Sequence, residues 1–197
     1  MRTKCKILGL TAAAGMILFL SACTKNPDAP GGPPVIQDEE SEIYSLIYSE
    51  CDFSAVLTEN EISGLLHMRE EEKLARDIYL RFSEIFNIPI FRNIAASEQR
   101  HMDAVLFLIN GYGLTDPVKD LEIGSFTDAF QELYDKLYAQ GSQNLEQAYE
   151  AGVFIEEQDI EDLKEYISET EVTNIINVYT NLLNASSNHL NAFKKRL

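Results

Sequence analysis

Disulfide chemistry is what this sequence is least equipped for. Its three cysteines are Cys5, Cys23 and Cys51, and the first two lie in an N-terminal stretch that reads as a processed leader. One free thiol, Cys51, is left, so no intrachain disulfide framework can form, and any stabilising cross-link must come from packing or metal. Basic residues are scarce as well: 16 Lys and Arg stand against 32 Asp and Glu, a formal net charge of −16. Binding to a phosphate backbone needs the opposite balance, which excludes nucleic acid as a partner. After residue 53 there is no alternating run of β-branched residues to mark a strand. The apolar run from Ile7 to Leu20, broken only by Thr11, is too short to span a bilayer.

That run has another use. Preceded by Arg2, Lys4 and Lys6, it has the layout of a secretory signal peptide, and Leu20-Ser21-Ala22-Cys23 resembles a lipobox, in which the cysteine thiol is acylated and becomes the new N-terminus. The expectation is a signal peptide over 1–22 and lipidation at Cys23. The membrane partner would then be met through the N-terminal lipid, with the domain at the cell envelope, outside the cytoplasm, on the outer membrane where the cell has one. Removing 1–22 takes away those three basic residues and no acidic one, leaving a charge near −19. Residues 23–40, rich in Pro, Gly and charge, read as a flexible tether, and 41–57 as a lead-in without clear period. Cys51 in that lead-in reads as a small buried hydrophobe.

The remainder, 58–197, is sized for one core and reads as all-α. Thr58-Glu59-Asn60-Glu61 has the capping-box spacing that starts a helix, running to about Phe86, where Asn87-Ile88-Pro89 interrupts it. A second helix follows to about Asn110. Gly111, Gly113 and Pro117 open a crossover, Ser125 reads as the cap of a short helix from Phe126 to about Gln140, and Ser142 as the start of a third long helix, about Gln143 to Ser168. A fourth begins near Glu171. Short link, long crossover with an extra short helix, short link is the connectivity of a ferritin-like four-helix bundle.

An α-helix advances about 100° per residue, and on that wheel each long helix places ionisable groups within an apolar stripe. Glu72 shares a face with Leu65, Met68, Ala75, Tyr79 and Phe86. Glu98 and His101 lie among Phe91, Ile94, Met102 and Val105. Glu156, with Asp159 at the stripe's edge, lies among Tyr149, Gly152 and Leu163, and His189 among Leu182, Ala185 and Phe193. Several buried carboxylates aimed at one axis need cations. Carboxylate with imidazole suits two iron ions, with manganese or zinc as alternatives, and the pair at Glu98 and His101 has the Glu-x-x-His spacing of two-metal bundles. By the same wheel Glu71 and His67 fall off the stripe and read as solvated, as do Glu157, Glu161 and Asp162. Lys73 and Arg76 read as surface partners of the acidic run Glu70 to Glu72.

Glu72-Lys-Leu-Ala-Arg-Asp-Ile-Tyr79 resembles the first ligand helix of rubrerythrins, Ala95-Ala-Ser-Glu-Gln-Arg-His101 their second, and His189 with Phe193 the end of their fourth. Met68-Arg-Glu-Glu-Glu-Lys-Leu-Ala-Arg-Asp, Gly152-Val-Phe-Ile-Glu-Glu-Gln-Asp-Ile-Glu-Asp-Leu163 and Ser186-Ser-Asn-His-Leu-Asn-Ala-Phe193 more closely resemble domain-of-unknown-function family 2202 of the ferritin-like superfamily. The likeness covers about 58–197 and implies a metal-binding helical bundle without bringing a settled reaction. Two departures stand out. Ser186 occupies the place of a bridging glutamate three residues before His189, with Asp159 as the candidate replacement. No CxxC pair is present for a rubredoxin-type iron centre, so an electron donor would be external and is unidentified.

The expected function is an oxidoreductase of the ferroxidase or peroxidase type, reacting dioxygen or peroxide at a di-iron or mixed-metal carboxylate site. The alternatives are a non-catalytic envelope protein that stores or delivers metal, and a structural, partner-binding bundle. Association as a homodimer is compatible with each.

Overall fold

The computed structural model describes residues 52–126 and 128–197. The expected signal peptide, lipobox-like cysteine Cys23 and tether, and Cys51, lie outside the described residues. Among those described there are helices and no strands: α1 Glu59–Phe86, α2 Pro89–Gly111, α3 Asp128–Gly141, α4 Leu145–Glu169 and α5 Thr173–Lys194. The all-α architecture expected from sequence is therefore observed.

The first boundaries follow from local chemistry. At the start of α1 the Thr58 hydroxyl accepts from the Glu61 amide at 3.2 Å, and the Glu61 carboxylate accepts from the Thr58 amide at 2.7 Å, a complete capping box. Asn87 closes the helix in the left-handed region at φ 52°, a conformation asparagine tolerates better than most residues. Pro89 then opens α2, where its missing N–H costs nothing.

Two boundaries differ from expectation. The crossover helix starts at Asp128, because the Ser125 carbonyl accepts from Lys73 Nζ at 3.0 Å and the Phe126 ring lies 4.0 Å beneath the same ammonium. A contact from another helix thus holds these residues in place of a helical turn. The start of α4 is capped by Asn144, whose side chain accepts from the Gln147 amide at 3.0 Å. The Ser142 amide instead donates to Tyr138 and helps to finish α3.

Cross-helix pairs give the topology. Going up α1, Gly64 meets Tyr166, His67 meets Asp162 and Tyr79 meets Glu156, so α1 and α4 are antiparallel. Phe86 with Phe91 and Glu72 with His101 make α1 and α2 antiparallel. Tyr166 with Tyr179 and Glu156 with His189 do the same for α4 and α5. Consequently α2 and α4 run the same way, and the crossover must travel the length of the bundle to join them. It carries α3, which packs on α1 and α4.

The outer side of α1 holds the crossover down, correcting the surface role expected for Lys73 and Arg76. Both are buried, and so is Asp77 between them. Asp77 Oδ2 accepts from Lys73 at 2.7 Å and from the Gly124 amide at 3.0 Å, while Oδ1 accepts from Arg76 Nε at 2.8 Å. Lys73 also donates to the Glu122 carbonyl, and Arg69 pairs with Asp116 at 3.0 Å. Removing Asp77 would strand two buried cations, so Asp77→Ala is expected to cost about 3–5 kcal/mol, read as a lowered urea midpoint. An unchanged midpoint would show the crossover to be held by other contacts.

One end of the interior is aromatic. Phe91 lies 5.4 Å from Tyr149 and 5.8 Å from Phe193, and Phe193 lies 5.2 Å from Tyr79. Gly152 admits Phe193: a Cβ there would come within 2.8 Å of the ring. This packing forms an apolar floor under the polar residues above it.

Candidate metal centre

All four long helices contribute to one buried polar cluster. Glu72 on α1, Glu98 and His101 on α2, and Glu156 and Asp159 on α4 are buried, and the His189 side chain on α5 is 12% exposed. Their placement follows from the apolar stripes, since burying Leu65, Met68, Met102, Val105, Leu163 and Leu182 turns the ionisable residues of the same faces inward.

Glu98 is the centre of the arrangement. Its Oε2 lies 2.7 Å from His101 Nδ1 and its Oε1 lies 2.9 Å from His189 Nδ1. His101 Nδ1 also approaches Glu72 Oε2 at 3.1 Å, and His189 Nδ1 approaches Glu156 Oε2 at 3.5 Å. Two triads result, Glu72–Glu98–His101 and Glu98–Glu156–His189, each with ligand atoms within 4.8 Å of one another. They share one carboxylate, and the two imidazoles lie 5.8 Å apart.

Asp159 completes the set. Its oxygens are buried with the Ser186 hydroxyl close by but no hydrogen bond of good geometry to them, and Glu72 Oε1, Glu98 Oε1 and His189 Nδ1 likewise lack a hydrogen bond, although Glu98 and His189 are at ion-pair distance. Buried polar atoms in folded proteins are nearly always satisfied, and a common cation between these groups would satisfy all of them. Ser186 brings no charge to the set: its hydroxyl donates to the Leu182 carbonyl at 3.0 Å, which leaves it only neutral lone pairs to offer. Four carboxylates and two neutral imidazoles balance the charge of two divalent ions, and the donor types suit iron and manganese.

Without metal, protons do the balancing. Burial pushes Glu72 well above the carboxylate range. Burial and the neighbouring Glu98 raise Glu156 to about 8, and burial raises Asp159 to about 7. Burial disfavours charge on Glu98 too, but His101 and His189 outweigh it and hold that carboxyl down at about 2. Burial likewise opposes protonation of the two histidines, and the facing carboxylates overcome it, holding His101 well above its ordinary value and His189 at about 10.

Three residues take places the sequence reading did not give them. The Tyr79 hydroxyl donates to Glu156 Oε1 at 2.7 Å, orienting a candidate ligand from beneath. Glu71, expected in solvent, is buried. His67, also expected to be free in solvent, meets Asp162 at 3.2 Å and Glu71 at 3.7 Å. The i, i+4 spacing of His67 and Glu71 was the available signal, and its meaning depended on the approach of α4. Glu157, by contrast, is exposed as expected and pairs with Lys194 at the surface.

An all-helical bundle with a polar centre drawn from four helices is thus the class of protein defined by fold and site. The chain belongs to the family described as Uncharacterized protein domain (DUF2202), whose model matches residues 61–197. It is 46% identical over 142 residues to a Methanocaldococcus jannaschii protein described as uncharacterized protein MJ0754, covering 72% of this chain and 77% of the relative. The crystal structure titled hypothetical protein MJ0754 superposes with a TM-score of 0.71, covering 73% of this chain and 83% of that one.

Proposed function

We propose that the buried centre would hold two divalent ions of the iron and manganese class through Glu72, Glu98, His101, Glu156, Asp159 and His189, and that the protein is a ferritin-like oxidoreductase acting on dioxygen or peroxide. The observation that carries this reading is the sharing of Glu98 by two His-carboxylate triads within a cluster that leaves buried oxygens unsatisfied. Bound iron would supply electrons and Lewis acidity for reducing dioxygen or peroxide, replenished by Fe(II) itself or an external donor. The chain's own residues set the conditions. His101 and His189 hold the two ends of the centre, and Tyr79 orients Glu156. The aromatic floor of Phe91, Tyr149 and Phe193 keeps water from one side.

The test is anaerobic loading with Fe(II), elemental analysis, and addition of dioxygen or peroxide. About two ions per chain and oxidant-dependent Fe(II) oxidation are expected from a centre of this type. Binding without turnover would favour storage or delivery of metal, and protein that takes up no Fe(II) or Mn(II) would leave a purely structural polar core.

We further propose that Cys23 carries a lipid that tethers the domain to the cell envelope, supported by the lipobox-like Leu20 to Cys23. Labelled fatty acid should enter the wild type and not Cys23→Ala; equal labelling of both would refute the anchor.

A further inference from the structure

A second group of ligand-type side chains lies on the α1/α4 face, beside the buried centre. His67 Nε2 is 3.2 Å from Asp162 Oδ2 and 3.7 Å from Glu71 Oε2, and the ligand atoms of all three lie within 4.8 Å of one another. The side chains of His67 and Asp162 are 39% and 28% exposed, whereas that of Glu71 is 10% exposed. Glu71 Oε2 is buried, has no hydrogen-bond partner and faces the histidine. An acidic surface does not explain such an oxygen, because a solvated carboxylate would turn outward and this one is held inward.

The position matters as much as the donors. Glu71 adjoins Glu72 in sequence, and on α4 the residues Glu156, Asp159 and Asp162 follow at three-residue steps, each a neighbour of the next along the helix. Carboxylates therefore descend continuously from the partly exposed pair at His67 and Asp162, past Glu71, to Asp159 and Glu72 at the centre. The His67 ring is set by Phe130 and Tyr166, with centroids at 5.2 and 6.2 Å, so it is presented rather than swinging freely. One neutral imidazole and two carboxylates neutralise one divalent ion, and these donors suit Mn(II), Fe(II) or Zn(II).

We infer that His67, Glu71 and Asp162 form a third divalent-cation site, partly open to solvent, through which ions reach the buried centre. The site itself stands on its own donors; the passage inward rests on the proposed reading of the centre.

Equilibrium dialysis of the full chain against Mn(II) tests the site, and the time course of Mn(II) uptake after rapid mixing tests the passage, with circular dichroism to verify that each variant is folded. Wild type should bind two ions tightly and one more weakly. The double variant His67→Gln with Asp162→Asn should weaken the third ion roughly tenfold or more and slow filling of the tight pair roughly tenfold, because the local store of cations is lost. Glu98→Ala should do the reverse, losing the tight pair and keeping the outer ion. If the double variant retains every ion with unchanged affinity, the outer site is overturned while the centre stands. If wild type holds a single ion that the double variant loses, the outer site stands and the reading of the centre fails. Loss of the outer ion with unchanged filling of the tight pair would overturn the passage.

Discussion

Replacing Glu98 by Ala is expected to empty both halves of the buried centre at once. Glu98 faces His101 with one oxygen and His189 with the other, so neither triad survives its loss. Glu72→Ala and His101→Ala remove donors from one triad, His189→Ala from the other, and each should lower the metal content of purified protein. The Glu98 variant should lose the most. It should also be the least stable without metal, since two buried imidazolium groups are left without their common counter-ion, a loss of about 3–5 kcal/mol. Glu157→Ala is the proper control: its pair with Lys194 is half exposed, and pairs of that kind contribute little. Glu71 and His67, which the wheel alone would choose as controls, are unsuitable because they touch Asp162 and each other. Elemental analysis and urea midpoints of the five variants decide the matter, and two ions retained in Glu98→Ala would disprove the shared carboxylate.

The second large effect is a dependence on pH whose sign reverses with metal. In the metal-free fold Glu156 keeps a proton up to about 8, against an ordinary 4.5, and Asp159 up to about 7, against 3.8. The folded state then binds more protons than the unfolded chain between those values, so stability falls as pH rises through that window. His189 acts in the same direction. Its stabilisation is fully present below 6.5, the ordinary histidine value, and is lost as pH climbs toward about 10. Glu98, held at about 2 against 4.5, acts oppositely, and its contribution is lost only as pH falls toward 2. The metal-free urea midpoint should therefore drop from about pH 6 to about pH 9. Metal binding requires the same groups to deprotonate, so it should release protons near neutrality and grow tighter with pH. Titration calorimetry with Mn(II) in buffers of different ionisation enthalpy measures that release. A metal-free midpoint that rises over the same range would show that protons do not balance the cluster.

Sequence and structure agree best where the chain's signals are local. The capping box at Thr58, the stop at Asn87 with Pro89, and the inward stripes of α1, α2, α4 and α5 depend on residues a few positions apart, and they are found where expected. Glu72, Glu98, His101, Glu156 and His189 meet in the two triads, and Asp159, at the edge of its stripe, is buried near them. The start of α3 departs from the local signal because Lys73, over fifty residues upstream, captures the Ser125 carbonyl and the Phe126 ring. Lys73 and Arg76 are buried rather than at the surface for a related reason: a helical wheel distinguishes a core-facing side from the rest, and does not show that the crossover covers part of the rest.

By itself the sequence determined the helical class, most helix ends and the inward direction of Glu72, Glu98, His101, Glu156 and His189. Periodicity, capping and proline geometry act within one helix and need no partner. Only the tertiary structure decided that Glu98 is shared by two triads, that Tyr79 holds Glu156, and that Glu71 is buried beside His67 and Asp162. Those outcomes depend on the relative register of antiparallel helices, which arises from packing between distant segments such as Gly152 with Phe193. A shift of one turn would have left the same inward stripes while giving every carboxylate a different neighbour.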